Sequence, residues 1–426
     1  MAKKNLKKDS KQMTITCKPL RGEVRIKIAG TGTATIDWGD GKQCETLMLS
    51  ALKGDELYDN KKYGYKHGFG SDRNVTVTVT GKNITHLGCS KNGVTRLDVS
   101  NNTALKVLDC SRNQLMYLDV SNNTELIKLW CSRNQLTDLK LGSNSKLEKL
   151  YCSENKLTNL DVSDNAALTE LCCTDNHLQN LDVSENTALT GLSCCGNKLE
   201  KLNVKCNIAL KRLSCSKNQL TTLDVNNDTA LDWLYCTDNR LTALDVSKNT
   251  ELTELWCSGN RLTALDVSNN IKLMELWCSE NQLTGLDIRE NTTLKKLICG
   301  ENQLIELDVS KNTRLTKLSC EKNKLTKLDV SHNKSLVELF CGYNQLTELD
   351  VSVARAIRYI NCLHNPIKNL NVGKNKELVI ESNTIKGRLN DYHYYCSKRN
   401  IESLEKSKSS ISMDEMVRQA YNLQTK

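Results

Sequence analysis

Hydrophobic and polar positions repeat with a fixed period over most of the chain. A representative unit, LTELWCSGNRLTALDVSNN (residues 252–270), places apolar side chains at L-x-x-L-x-C and again at L-x-V. Because alternate side chains of a strand point to opposite faces, L-x-C predicts a short strand with Leu and Cys buried, and L-D-V predicts a second extended segment. The cysteine returns every 21 residues, fourteen times, at Cys89, Cys110, Cys131, Cys152, Cys173, Cys194, Cys215, Cys236, Cys257, Cys278, Cys299, Cys320, Cys341 and Cys362.

A period of 21 residues with Leu and Asn at constant offsets is typical of a leucine-rich-repeat solenoid. The predicted fold class is therefore a β-rich leucine-rich-repeat solenoid of about 14 coils over residues 82–375, with a parallel sheet on its concave face. Asn stands three residues after each of these cysteines, from Asn92 to Asn365, and a second Asn column is interrupted at Asp228 and Ala354. Buried amides at the coil corners would satisfy backbone groups, so both columns are predicted to be structural.

The segments on either side of the repeats have different patterns. Residues 13–81 contain four alternating stretches, MTITC, EVRIKIAG, TATIDWG and NVTVTVTG, which predict a small all-β sandwich cap with Val75, Val77 and Val79 on one face. Residues 1–12 are lysine-rich and are predicted to be a disordered basic tail. Residues 376–426 are predicted to form a C-terminal cap with a short helix, because Ser412 and Glu415 have capping-box spacing.

The formal net charge of +9 does not identify a nucleic-acid partner once it is mapped along the chain. The repeats, residues 82–375, carry 35 Lys and Arg against 34 Asp and Glu, so they are almost neutral. Much of the excess lies in the lysine-rich start, which is typical of a solvated tail. No apolar run follows the first lysines or approaches a membrane span, so membrane insertion is not expected, and the chain is predicted to be cytoplasmic if its start is native.

The twenty cysteines would suggest a disulfide scaffold, but fourteen of them form a single column, called the cysteine ladder below. Neighbouring parallel strands lie about 4.8 Å apart, and side chains in register keep that separation, which exceeds what a disulfide prefers. The ladder is therefore predicted to consist of small, buried, apolar thiols. Cys172 and Cys195 fall at outward strand positions and Cys206 in a corner, and all three are expected to be free thiols.

The sequence contains no pattern for catalysis or cofactor binding. Its six histidines are scattered without metal-ligand spacing, and neither a G-x-S-x-G elbow nor a phosphate loop occurs, so no enzyme activity, metal site or cofactor is predicted. Asp recurs at the L-D-V position of most coils, from Asp98 to Asp350. Stacked carboxylates repel unless hydrogen bonds or cations offset them. Hydrogen bonding to the corner and to nearby Ser is the favoured interpretation, and ordered calcium binding is the alternative.

The residue before each ladder cysteine faces solvent and is the most informative position for function. Three of the five tryptophans stand there, in a chain with only 4% aromatic residues. We expect them to be exposed anchors for a protein partner. Two alternatives are stacking that only shields the sheet and stacking against carbohydrate. The predicted binding residues are seven aromatic side chains and two carboxylates on this face: Trp130, Tyr151, Trp233, Tyr235, Trp256, Trp277, Phe340, Glu254 and Glu275.

The repeat pattern L-x-C-x-x-N-x-L-x-x-L-D-V-S-x-N resembles the cysteine-bearing, internalin J-like repeats of the bacterial internalin family, over about 290 residues. The resemblance implies a curved solenoid used for adhesion or recognition, at the cell surface or secreted. Together with the residues above, it predicts a non-enzymatic protein–protein recognition scaffold or adhesin. A glycan-binding adhesin and a structural spacer without a dedicated ligand are the alternatives.

The cap carries a second resemblance. Its TIDWGDG motif (residues 35–41), followed by His67, Phe69 and the valine-rich strand, resembles the polycystic-kidney-disease-type (PKD-like) β-sandwich over about 70 residues, with residues 42–66 as an insertion. This resemblance implies an immunoglobulin-like spacer or adhesion module.

Overall fold

The computed structural model describes residues 11–19, 22–52, 64–69, 73–374 and 378–381, and every regular element in these ranges is a β-strand. The predicted C-terminal helix and almost all of the predicted basic tail lie outside the described residues. The strands up to the first coil are β1 (Gln12–Cys17), β2 (Glu23–Asp37), β3 (Glu45–Met48), β4 (Gly64–Gly68), β5 (Val75–Gly88) and β6 (Val94–Asp98).

The remaining strands belong to successive coils. They are β7 (Val107–Asp109), β8 (Tyr117–Asp119), β9 (Lys128–Trp130), β10 (Asp138–Lys140), β11 (Lys149–Tyr151), β12 (Glu170–Cys172), β13 (Gly191–Ser193), β14 (Arg212–Ser214), β15 (Trp233–Tyr235), β16 (Glu254–Trp256), β17 (Glu275–Trp277), β18 (Lys296–Ile298), β19 (Lys317–Ser319), β20 (Glu338–Phe340), β21 (Glu348–Asp350), β22 (Tyr359–Asn361), β23 (Asn369–Asn371) and β24 (Val379–Glu381). Most have three residues, as L-x-C predicts.

The N-terminal strands are antiparallel. Strand β5 pairs with β1 and β2, and β2 also pairs with β3 and β4. The stretches EVRIKIAG and TATIDWG, predicted as separate strands, form the single strand β2. Glycine allows this because a Cβ on Gly30 would lie 2.0 Å from the backbone oxygen of Asn83, while Gly32 has a φ of +79°. The three valines predicted on one face of β5 are all buried: Val75, Val77 and Val79.

One parallel sheet runs the length of the solenoid and begins within β5. The last three residues of β5, His86 to Gly88, pair with β7, so the predicted boundary at residues 81–82 falls inside a continuous strand. From β7 to β22 the pairing advances 21 residues per coil, as in Leu234 opposite Leu255. Strand β24 adds one strand beyond the last ladder cysteine.

The L-D-V flank is less regular than the sheet. Strands β8 and β10 pair, β21 and β23 pair, and a single bridge joins Asp182 and Asn203. Strand β6, the first L-D-V segment, pairs instead with β1 of the cap. In the other described coils this flank is held by side-chain hydrogen bonds and turns rather than by a continuous sheet.

The cysteine ladder lies in the core, as predicted. All fourteen ladder cysteines are buried free thiols, packed with the Leu and Val columns of the same coils. Desolvation by burial raises the pKa of the Cys257 thiol to about 12, so the reactive thiolate is strongly disfavoured. The ladder therefore contributes packing rather than thiol chemistry.

The first Asn column joins each coil to its neighbour. Asn260 donates from Nδ2 to the backbone oxygens of Cys236 and Cys257, both at 3.0 Å, and its Oδ1 accepts from the backbone NH of Leu241 at 3.0 Å. In the second column, Asn270 donates to the backbone oxygens of the preceding coil. The first column gives the buried NH of Leu241 its acceptor, whereas the second adds a donor to oxygens, of Val246 and Asn249, that also accept from backbone NH groups.

The corner after each strand has a left-handed backbone that the repeat pattern did not reveal. The residue two positions after each ladder cysteine has a positive φ, from 53° to 65°, although it is glycine only at Gly196 and Gly259. Its NH donates to the next coil, as from Glu280 to the oxygen of Gly300 at 3.0 Å. These inter-coil hydrogen bonds offset a conformation that costs a non-glycine residue about 1–2 kcal/mol.

Each aspartate of the L-D-V column accepts a hydrogen bond from the backbone of the corner that follows it. The Oδ1 of Asp266 accepts from the backbone NH of Ser268 at 2.9 Å, and the same arrangement recurs at the other L-D-V aspartates. The hydrogen bond from this backbone NH lowers the pKa of Asp266. Among the described residues, no group of three or more His, Cys, Asp or Glu is arranged to hold a metal ion. These contacts support the hydrogen-bonding interpretation.

Candidate functional site

Parallel pairing places the predicted aromatic residues in rows on one face of the sheet. Strands β15, β16 and β17 pair in register, so Tyr235 lies opposite Trp256, which lies opposite Trp277. A second row, two residues earlier in each strand, contains Trp233, Glu254 and Glu275. Since side chains two residues apart share a face, both rows project from the sheet on the side away from the ladder.

Four of these aromatic residues form one continuous stack. Ring centroids lie 4.2 Å apart between Tyr235 and Trp256 and 4.4 Å apart between Trp256 and Trp277, with interplanar angles of 18° and 14°. Within β15, the rings of Trp233 and Tyr235 are nearly parallel at 6.4 Å. We call Trp233, Tyr235, Trp256 and Trp277 the central stack.

The expectation that these rings are freely exposed is wrong for two of them. Tyr235 is 8% exposed and Trp256 is 9% exposed, whereas Trp233 and Trp277 are half-buried. The reason is the spacing between coils, because rings about 4.3 Å apart cover each other's faces. Only the edge of the Trp256 ring is therefore left to face solvent.

The other predicted aromatic residues form separate pairs. Trp130 stacks on Tyr151 with centroids 6.1 Å apart, and Phe340 lies 5.1 Å from Tyr359. Sequence reasoning missed Tyr359, although it occupies the same column as Trp233. The small side chains of three coils separate Tyr151 from the central stack: Cys172, Ser193 and Ser214.

Carboxylates cluster beside the central stack. Glu254 lies opposite Glu275 in the sheet, and Asp232 precedes Trp233 in the neighbouring coil. Burial raises the pKa of Glu254, as do the negative charges of Glu275 and Asp232, while the hydrogen bond from the Tyr235 hydroxyl and the positive charge of Lys296 lower it. Asp232, which the sequence did not single out, accepts a hydrogen bond from the Thr253 hydroxyl.

Basic side chains near this cluster are bonded to other groups. The Nζ of Lys296 donates to Glu275 at 2.7 Å. The Nη2 of Arg212 lies 3.5 Å from Glu170 Oε1, and its guanidinium lies 6.0 Å from the Trp233 ring. This contact crosses Gly191, where a Cβ would stand 3.5 Å from the same Nη2. Among the described residues, Glu254 has the hydrogen bond from Tyr235 and no ion pair.

Two indole groups in the stack lack a hydrogen-bond partner. The Nε1 atoms of Trp256 and Trp277 are buried and donate to no protein group of the described chain. Such groups cost free energy when they are left without an acceptor.

The part of the chain that the structure describes contains no helix of the length and apolarity that a membrane span requires.

Comparison with solved structures identifies the relatives of the fold. The functional domain of InlJ from Listeria monocytogenes, described as including a cysteine ladder, matches with 38% identity and a TM-score of 0.61, over 67% of this chain and 69% of that one. A leucine-rich-repeat protein of Leptospira interrogans matches with 26% identity and a TM-score of 0.62, over 66% of this chain and 78% of that one.

The likeness extends to a second internalin. InlF from Listeria monocytogenes matches with 23% identity and a TM-score of 0.51, over 59% of this chain and 85% of that one, which shows the fold alone. No protein-family model and no curated protein sequence matches the chain. All three structural relatives are leucine-rich-repeat proteins, a fold that serves recognition rather than catalysis. From its cysteine ladder and its 38% identity to InlJ, the chain belongs to the internalin J-like family of cysteine-ladder leucine-rich-repeat proteins.

Proposed function

We propose that the chain is a recognition scaffold whose central stack binds a protein partner. The observation that carries the proposal is the run of four aromatic residues on adjacent strands, in a chain with only 4% aromatic residues. Tryptophan and tyrosine supply a large share of the free energy of protein–protein binding when they lie near the centre of an interface. Glu254 and Glu275 belong to the same face and would provide polar contacts beside the rings.

The mechanism is presentation of a rigid surface. Each ring is held by a paired strand and by its neighbour in the stack, so little side-chain freedom remains to be lost when a partner binds. A partner acceptor could also satisfy the Nε1 of Trp256 or Trp277 after a small rotation of the indole. The pairs Trp130–Tyr151 and Phe340–Tyr359 would extend the contact along the sheet.

The stacking favours a protein ligand over a carbohydrate. A sugar packs on an open aromatic face, but both faces of Trp256 are covered, by Tyr235 and by Trp277. Ring edges and neighbouring carboxylates suit peptide groups and charged side chains better. We further propose that the chain acts as an adhesin, with the cap as a PKD-like β-sandwich that spaces or supports the solenoid, as the TIDWGDG motif suggests.

A quantitative affinity capture tests the proposal. The wild type and the Trp256→Ala/Trp277→Ala variant are immobilised, exposed to bacterial and host protein extracts, and compared by mass spectrometry. Tyr117→Ala is the matched control, because Tyr117 is 45% exposed but lies on the L-D-V flank. We expect specific partners to be lost only from the double variant.

Circular dichroism before capture checks that the variants are folded. If the wild type and the double variant retain the same proteins in the same amounts, the central stack is not the binding site. If the wild type captures glycans rather than proteins, and the double variant does not, the ligand is a carbohydrate and the proposed protein partner is wrong.

A further inference from the structure

We propose that the partner segment that binds the central stack is basic and presents a lysine or arginine side chain to Glu254. The inference rests on the proposed function and adds the chemistry of the partner. It follows from an imbalance of charge around the stack, because three carboxylates converge there and only one of them has an ion pair among the described contacts.

Two carboxylates of the face lie side by side on adjacent strands. Glu254 and Glu275 are directly opposite each other in a parallel pair, an arrangement that is unfavourable for like charges. Lys296 forms an ion pair with Glu275, and its charge also acts on Glu254. Glu254 itself has no ion pair and accepts a hydrogen bond from the Tyr235 hydroxyl, while the negative charge of Asp232 acts on both Tyr235 and Glu254. An additional cation would relieve this repulsion.

Glu254 has aromatic neighbours. It is partly buried beside Tyr235 and Trp256, so its charge is screened less than that of a fully exposed carboxylate. The edge of Trp256 offers an apolar surface along which the methylene stem of a lysine or arginine can lie while its charged end reaches the carboxylate. A neutral or acidic segment would leave the repulsion in place.

Other carboxylates of the same column have basic partners. Lys149 and Arg212 contact Glu170, and Lys317 lies 2.8 Å from Glu338. In these coils the column supplies its own counter-charges. Glu254 differs because its neighbours in the column are Trp233 and Glu275. The carboxylate without an ion pair, Glu254, therefore lies beside the central stack, on the proposed binding surface.

Selection from a random peptide library displayed on phage tests the inference and does not require the identity of the natural partner. Peptides are selected on the immobilised full chain and then sorted by whether they also bind the Trp256→Ala/Trp277→Ala variant. We expect the peptides that depend on the two tryptophans to be enriched in lysine and arginine relative to the unselected library. Their affinities are then measured with synthetic peptides.

The charge variant is Glu254→Gln, which keeps a hydrogen-bond acceptor for Tyr235, and the matched control is Glu338→Gln, from the same column and already paired with Lys317. We expect Kd to rise about tenfold in Glu254→Gln and to remain unchanged in Glu338→Gln.

The outcomes separate the two proposals. If tryptophan-dependent peptides show no enrichment in basic residues, or bind Glu254→Gln as tightly as the wild type, the inference is overturned while the proposed binding surface stands. If no selected peptide depends on Trp256 and Trp277, both proposals are overturned.

Discussion

Asn249 donates from its side-chain Nδ2 to the backbone oxygen of Asp228 at 2.9 Å, but Asp228 has no amide with which to continue this column of hydrogen bonds. Asp228 is completely buried, and neither of its carboxylate oxygens has a hydrogen-bond partner among the described residues. Burial, together with the negative charge of Asp224, raises the pKa of Asp228 to about 7. Only the protonated carboxyl can donate a hydrogen bond, as Asn does in the neighbouring coils.

Replacement of Asp228 by Asn should stabilise the protein, and more so at higher pH. Because the folded-state pKa is raised from 3.8 to about 7, the native state retains a proton that the unfolded chain releases, and stability falls as pH rises through this window. The Asp228→Asn variant has no carboxyl to titrate at this position and does not lose stability in this way. Its free energy of unfolding should therefore exceed that of the wild type by up to about 4 kcal/mol near pH 8. Urea unfolding at about pH 5 and about pH 8 measures the difference.

Asp245→Asn is the control for this prediction. Asp245 is exposed, accepts a hydrogen bond from the Ser247 backbone NH at 2.9 Å, and has a lowered pKa mainly because of that bond. Its substitution should therefore change stability little and equally at the two pH values. A gain in Asp228→Asn that does not grow with pH would contradict the assignment of a buried titrating carboxyl.

Substitution of Gly259 by Ala should destabilise the solenoid by about 2 kcal/mol, because a Cβ is strained in the left-handed region. The φ of Gly259 is +65°, and a Cβ there would stand 2.5 Å from Asp238 Oδ1. Gly285→Ala is the matched control, since its Cβ would meet nothing within 4 Å and its φ is not positive. Chemical denaturation of the two variants provides the comparison, and equal stability would refute the strain argument.

Asn260→Ala should destabilise the solenoid by about 1–3 kcal/mol, the cost of one buried group left without a partner, because it deprives the Leu241 NH of its acceptor. It also removes hydrogen bonds to the oxygens of Cys236, Cys257 and Ser258, but the oxygens of Cys236 and Cys257 each keep a second donor, from Asn239 and Asn281. Asn269→Ala in the same coil removes one exposed hydrogen bond and serves as the control. A denaturation midpoint for Asn260→Ala close to that of Asn269→Ala would contradict a structural role for the column.

Thiol labelling should separate the ladder from the exposed cysteines, Cys44 and Cys206. Cys44 and Cys206 are exposed and should react quickly with iodoacetamide in the native protein. The ladder thiols, represented by Cys257, should react only after unfolding, because burial raises their pKa and blocks access. Peptide mapping by mass spectrometry with and without guanidinium gives the rates. Labelling of Cys257 at the rate of Cys206 would show that the coils open in the native state.

The fold was largely predictable because the repeat pattern is local. Alternation of buried and exposed side chains over three residues places Leu255 and Cys257 in the core and Trp256 on the opposite face, and the 21-residue period places each coil in register with the next. The structure departs from the prediction where glycine changes the backbone, as in the continuous strand β2. It also departs at the left-handed corners, such as Glu280, because the residue types there do not indicate a positive φ.

The candidate site was predictable only as a set of positions. The face and row of Trp256 follow from its place before a ladder cysteine, but its 9% exposure follows from the rings of the two adjacent coils. The charge balance likewise depends on side-chain contacts between coils, which pair Lys296 with Glu275 and leave Glu254 with the Tyr235 hydroxyl.

The sequence by itself determined the repeat, the core residues and the face on which the aromatic side chains lie, because these follow from a period of two within a strand and of 21 along the chain. Only the tertiary structure decided which rings cover one another, which carboxylates have partners and that Asp228 is buried without one. These properties arise between coils about 4.8 Å apart, where side chains distant in sequence come into contact.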